Sequence, residues 1–191
     1  MAEASDNRQP LAKNQLGIAV LVLVVVIAVG LGLYLLLKDS GKNHHSTKPV
    51  ASRIGPTTMS AAEIKGFART LKTPFYWVGP QAGYRYEFTR ATTGYLYVRY
   101  LPAGAHNGNK SDKYLVVTTY PYPGALAALK KGAKGSGFGG PGQRFIWIDP
   151  TDPKSVYVAF PGVDYEIEIY NPSPPIAAAT AQSAKLRPVK G

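Results

Sequence analysis

A chain of 191 residues with no cysteine cannot form disulfides, thiolate metal sites, a cysteine nucleophile or a lipidated cysteine anchor. Its 22 basic and 11 acidic residues give a formal charge of +11, which suits anionic lipid headgroups, anionic wall polymers or nucleic acid as partners. The basic residues are spread along the chain, with Lys130, Lys131 and Lys134 as a short cluster, so charge alone does not choose among these.

Residues 1–15 carry Glu3, Asp6, Arg8 and Lys13 among small polar residues without apolar periodicity, which predicts a disordered tail. The stretch 16–37, LGIAVLVLVVVIAVGLGLYLLL, is 22 residues long and uncharged. As a helix it would cover roughly 33 Å, matching a hydrocarbon core of about 30 Å, so a transmembrane helix in contact with the lipid bilayer is expected. Leu35-Leu36-Leu37-Lys38 offers no small-residue cleavage site, so the span should stay as a signal anchor. Ala28 and Gly32, four apart with Gly30 between them, would let two such helices approach closely and support a weak homodimer.

Arg8 and Lys13 precede the span, whereas Lys38, Lys42, Lys48 and Arg53 follow it, a bias that by itself would keep the C-terminal part in the cytoplasm. A first span behind a short N-terminal tail is nevertheless commonly inserted with its N-terminus inside, and long domains are translocated largely regardless of charge. The expected topology is therefore single-pass in the cell membrane, with a cytoplasmic N-terminus and an extracytoplasmic C-terminal domain.

Residues 38–58 mix Gly, Ser, Thr, Pro and Lys, which predicts a flexible linker. Its adjacent His44 and His45 have no acidic partner nearby and read as solvent-facing rather than metal-binding.

The globular part is expected over 59–172. Ser60-Ala61-Ala62-Glu63 is a capping-box pattern, and Ala61, Ile64, Phe67, Ala68 and Leu71 form one apolar stripe of a helix running to about Thr70. The period then changes to two. Strands are predicted at 84–89, 95–100 and 114–119, the first two as an antiparallel hairpin and the third ended by Pro121 and Pro123. The order then recurs: a short helix over 125–131, a glycine-rich loop, and strands at 144–148, 155–160 and 164–170. GYRYEF at 83–88 lines up with GQRFIW at 142–147, and YVRY at 97–100 with YVAF at 157–160, which suggests a duplicated unit of one helix and three strands. The expected fold class is α+β, an antiparallel sheet of about six strands with both helices on one face. From 173 to 191 the Pro- and Ala-rich basic stretch reads as a disordered tail.

The layout of uncharged span, polar linker and a helix running into TPFYWVGP, GYRYEFTR and YLYVRYLP resembles uncharacterised bacterial membrane-anchored proteins with an extracytoplasmic domain, over residues 60–122. The resemblance implies no activity and no site.

The residues carry no catalytic constellation, cofactor motif or metal-ligand set. The GxGxxG in 135–140 lies between a helix and a strand, the reverse of a dinucleotide site. Asp164, Glu166 and Glu168 share one strand face, where ion pairing with Arg85, Arg99 and Arg144 is the favoured reading over a metal or acid–base role. His106 is the sole histidine of the expected domain and would have to be the base of any serine triad. Tyrosines stack on sugars and dominate binding patches, so Tyr95, Tyr97, Arg99 and Tyr157 are the candidate ligand-binding residues if they share an open face. The expected function is a non-enzymatic extracytoplasmic module that binds an anionic or carbohydrate envelope component, or a protein partner. An envelope hydrolase using His106 or Asp164, Glu166 and Glu168 is the first alternative, and a cytoplasmic-facing nucleic-acid-binding domain the second and least favoured.

Overall fold

The computed structural model describes residues 54–71 and 73–190. The expected tail, the span 16–37 with Ala28 and Gly32, and His44 and His45 lie outside the described residues. Among the described residues no helix is long and apolar enough to cross a membrane.

The chain enters as strand β1 (Ile54–Met59), in a stretch expected to belong to the linker. Its Thr57, Thr58 and Met59 pair with Phe88, Glu87 and Tyr86, and the register shifts between Ile54 and Thr57, where Pro56 has no amide to donate. The capping box forms as expected. Ser60 Oγ accepts from the Glu63 amide at 3.2 Å and the Glu63 carboxylate accepts from the Ser60 amide at 2.6 Å, opening α1 (Ala61–Thr70). The apolar stripe of α1 buries Ile64 and sets Phe67 edge-on to Phe88 with centroids 5.0 Å apart.

Next come β2 (Tyr76–Trp77), β3 (Tyr84–Arg90), β4 (Leu96–Pro102), β5 (Val116–Pro121) and α2 (Ala125–Ala133). They are followed by β6 (Phe138–Gly139), β7 (Phe145–Ile148), β8 (Ser155–Ala159), β9 (Tyr165–Tyr170), α3 (Pro174–Gln182) and β10 (Arg187–Pro188). The fold is α+β, and the antiparallel sheet has eight strands in the order β1-β3-β4-β5-β9-β8-β7-β6, with β2 and β10 as a separate pair. The expected six strands are thus flanked by β1 at one edge and β6 at the other. The two triplets β3–β5 and β7–β9 meet through their last strands, β5 against β9, so their order is mirrored about the middle of the sheet.

Two expectations are corrected. Residues 173–190 are a folded segment: Pro174 and Pro175 sit in the first turn of α3, where a missing amide costs little, and Ala177 and Ala181, four apart, are fully buried. Leu186 and Val189 continue into the core, and the Val189 amide donates to the Phe75 carbonyl at 2.8 Å. Small residues four apart let α3 lie close on the sheet, a packing signal that the Pro- and Ala-rich composition hides.

The helices also do not share a face. Ile64 of α1 and Ala177 and Ala181 of α3 join Tyr86, Phe88, Leu96, Val98, Tyr100, Val117, Ile146, Val158, Ile167 and Ile169 in one core on the first face. On the second face, α2 packs Ala125 and Leu129 against Tyr157 and Ala159.

Candidate functional site

Alternation along each strand sends every second side chain to the face opposite the main core. Tyr97 and Arg99 of β4, Thr118 and Tyr120 of β5, Glu166 and Glu168 of β9 and Ser155 and Tyr157 of β8 therefore share the second face, and Tyr95, just before β4, joins them against Tyr120. The register sets Thr118 opposite both Tyr97 and Glu168, Tyr120 opposite Glu166, and Tyr157 opposite Glu168.

This face is covered at both ends. On one side, α2 closes over β7 and β8. On the other, the loop 103–115 folds back: the Gly108 amide donates to Glu87 Oε2 at 2.6 Å, and Arg99 pairs with Glu87 at 3.4 Å and donates to the Asn109 carbonyl. Between these covers, half-buried Tyr95, Tyr97, Tyr120 and Glu166 surround buried Glu168.

Glu168 is 6% exposed, so its carboxylate requires internal donors. It has two. Ser155 Oγ donates to Oε1 at 2.6 Å, and the Tyr120 hydroxyl donates to Oε2. Burial pushes its pKa up, these two hydrogen bonds pull it back, and the Asp152 charge adds to the rise. No donor or cation meets the Glu166 carboxyl among the described residues, and its pKa is pushed up to about 7 by burial first and by Glu168 second. The Tyr97, Tyr120 and Tyr157 hydroxyls are all held above the usual tyrosine range, by burial first and by the Glu168 charge next. The Tyr95 ring meets the Tyr120 ring edge-on at 4.8 Å.

The field at this face is negative. Asp149 and Asp152 act with Glu166 and Glu168 on Tyr157, and Asp112, Asp152 and Glu168 act on Tyr170. Arg99 is already neutralised by Glu87. The Tyr95, Tyr97 and Tyr120 rings thus stand on one face with two carboxyl groups that meet no Lys or Arg among the described residues. Two carboxyl groups at alternate positions of one strand, one with its pKa raised to about 7 and the other held by donors, have the makings of a proton donor and acceptor.

Of the candidate residues, Tyr95, Tyr97, Arg99 and Tyr157 lie on the same face. Arg99 serves as the partner of Glu87, and Tyr157, 8% exposed, stacks on Trp147 at 5.6 Å beneath α2. The expected pairing of Asp164, Glu166 and Glu168 with Arg85, Arg99 and Arg144 does not form. Asp164 instead accepts from the Gly124 amide at 2.9 Å, and Arg144 bonds to backbone carbonyls. His106 is exposed in the 103–115 loop, and no hydrogen bond reaches its imidazole among the described residues. Among the described residues, no group of three His, Asp or Glu could hold a metal ion.

The glycine-rich loop is a packing device. A Cβ at Gly137 would lie 2.1 Å from Phe145 Cζ, and one at Gly140 would lie 2.6 Å from Ile146 Cδ1, so both glycines let the loop lie flat on β7. Tyr120, Ser155 and Thr118 were missed as site residues. Their sequence signal is the two-residue alternation, but only the β5–β9 pairing brings them to Glu168.

No protein-family model, curated protein or solved structure matches this chain.

Proposed function

We propose that the chain is a single-pass membrane-anchored module, with its N-terminus cytoplasmic and its folded domain extracytoplasmic, that binds a cationic, amine-bearing ligand. Membrane attachment is supported by the uncharged residues 16–37, and binding by the second face of the sheet. The observation that carries the reading is the juxtaposition of Tyr95, Tyr97 and Tyr120 with two carboxyl groups that no described cation meets. A ligand ammonium there would sit against ring faces while restoring charge balance to Glu166 and Glu168. Catalysis is not required by this reading.

The test uses choline, which keeps its charge at every pH, and its uncharged tert-butyl analogue of the same shape. The full chain in mild detergent should bind choline and not the analogue, and the affinity should rise as pH passes through about 7, where Glu166 ionises. Equal binding of both probes, or no binding of either, would sink the assignment. Protease treatment of spheroplasts should digest the folded domain; protection would reverse the topology.

A second reading draws on the raised pKa of Glu166. A carboxyl with its pKa raised to about 7 beside a hydrogen-bonded Glu168 could donate a proton to a leaving group, as an envelope hydrolase requires. That reading predicts turnover of an envelope polysaccharide or peptide that Glu166→Gln abolishes.

A further inference from the structure

Arg144 stands just before β7 and is 3% exposed. Its Nε donates to the Pro141 carbonyl at 2.5 Å, its Nη1 to the Ala181 and Ser183 carbonyls at 3.0 Å each, and its Nη2 to the Leu186 carbonyl at 3.2 Å. The guanidinium carbon also lies 5.0 Å from the Phe160 ring centroid. Four of the five N–H groups are therefore used and one on Nη2 is free, while no carboxylate meets the charge among the described residues. Carbonyl dipoles satisfy N–H groups but do not cancel a full positive charge held out of water.

Beside Arg144 opens a cleft of about 460 Å³, a volume suited to a small molecule. Exposed Arg187 adds a second cation to its wall, and no Asp or Glu lines it. The remaining wall is largely apolar, including Phe160, Val163, Leu186 and Pro188. Two guanidinium groups without an acidic partner, set in an apolar hollow, complement an anion that carries an apolar body. One free N–H on the buried arginine suits a monoanion better than a multiply charged phosphate.

We infer that this cleft is a binding site for a small organic carboxylate, with the carboxylate between Arg144 and Arg187 and the apolar body against Phe160 and Val163. The site is independent of the tyrosine–carboxylate face: the cleft wall holds Tyr76 and Phe160 of the first face, opposite to Glu166 and Glu168. Arg144 also ties the segment after α3 to the turn before β7, so occupancy of the cleft would bear on how firmly that segment is held.

The experiment is ligand-observed NMR on the full chain in mild detergent, with a detergent blank, comparing benzoate with benzamide, which has the same shape and no charge. Benzoate should receive saturation from the protein and benzamide should not. Arg187→Gln, at an exposed position, should weaken benzoate about tenfold, the loss expected for one charge-assisted contact. Gln143→Glu, which puts a negative charge on the cleft wall, should abolish benzoate binding while leaving the thermal midpoint within the usual range for surface changes. Equal binding of benzoate and benzamide, unchanged affinity in either variant, or no saturation above the blank would each overturn the assignment.

Discussion

The two halves of the sheet follow the same chain order, one helix and then three strands, yet they end up dressed differently. β7–β9 is clamped between α3 on the first face and α2 on the second, whereas β3–β5 has a helix on the first face alone. The difference arises at one connection. Tyr122 and Gly124 donate to the Asp164 main-chain and side-chain oxygens, both at 2.9 Å, tying the exit of β5 to the start of β9. Gly124 then takes a left-handed conformation, φ 72°, as the chain turns into α2 on the second face. That helix lies over β7 and β8 and reaches β9, so among the described residues no helix packs on the second face of β3–β5. The same local order thus yields one half with helices on both faces and one half with a helix on a single face.

The sharpest way to break the one-sided half is Phe88→Ala. Phe88 is fully buried between Phe67 of α1 and Phe75, and its truncation should cost about 3–5 kcal/mol in denaturant unfolding. A loss of less than about 1 kcal/mol would mean that α1 is not the element holding β3 down.

A smaller effect should come from pH. The folded-state pKa of Glu166, about 7, lies above the ordinary 4.5, so the folded state binds more protons between these values. Its contribution is full below 4.5 and is lost as pH rises through 7, up to about 3 kcal/mol. Glu168 is shifted in the same direction and adds to the fall. Thermal melts between pH 4.5 and 8 should show stability declining with pH, and Glu166→Gln should flatten the decline. A wild-type curve that rises over this range would contradict the account.

Tyr120→Phe removes one of the two donors to buried Glu168 and should cost about 1–3 kcal/mol. The cost should be larger at pH 8 than at pH 5, because the missing hydrogen bond favours the ionised carboxylate. Smallest of all, Ser60→Ala opens the capping box of α1 and should cost about 1 kcal/mol, at most a shift of a few degrees in the thermal midpoint.

Elements defined by local periodicity were legible in the sequence. The stripe Ile64, Phe67, Ala68 marks α1, and the alternation of Tyr84, Tyr86 and Phe88 marks β3. β1 was not legible, since Gly55 and Pro56 are linker residues by composition and Thr57 to Met59 are a strand only because β3 lies alongside. α3 was hidden for a similar reason: alanines carry little hydrophobic signal, and Ala177 and Ala181 are buried by their smallness, which composition does not weigh. The site divides in the same way. The face shared by Tyr95 and Tyr97 follows from alternation alone. The burial of Glu168 depends on Ser155 and Tyr120, 13 and 48 residues away, and so on a strand order that no local pattern encodes.

The central claim is that the second face of the sheet, on β9 where the two halves meet, holds a carboxyl group whose pKa lies near 7 and which is available to a cation. Carboxyl-labelled NMR of Glu166 measures this directly. The account predicts a titration midpoint near 7 that moves downward when choline is added. A midpoint close to 4.5, unmoved by choline, would contradict it.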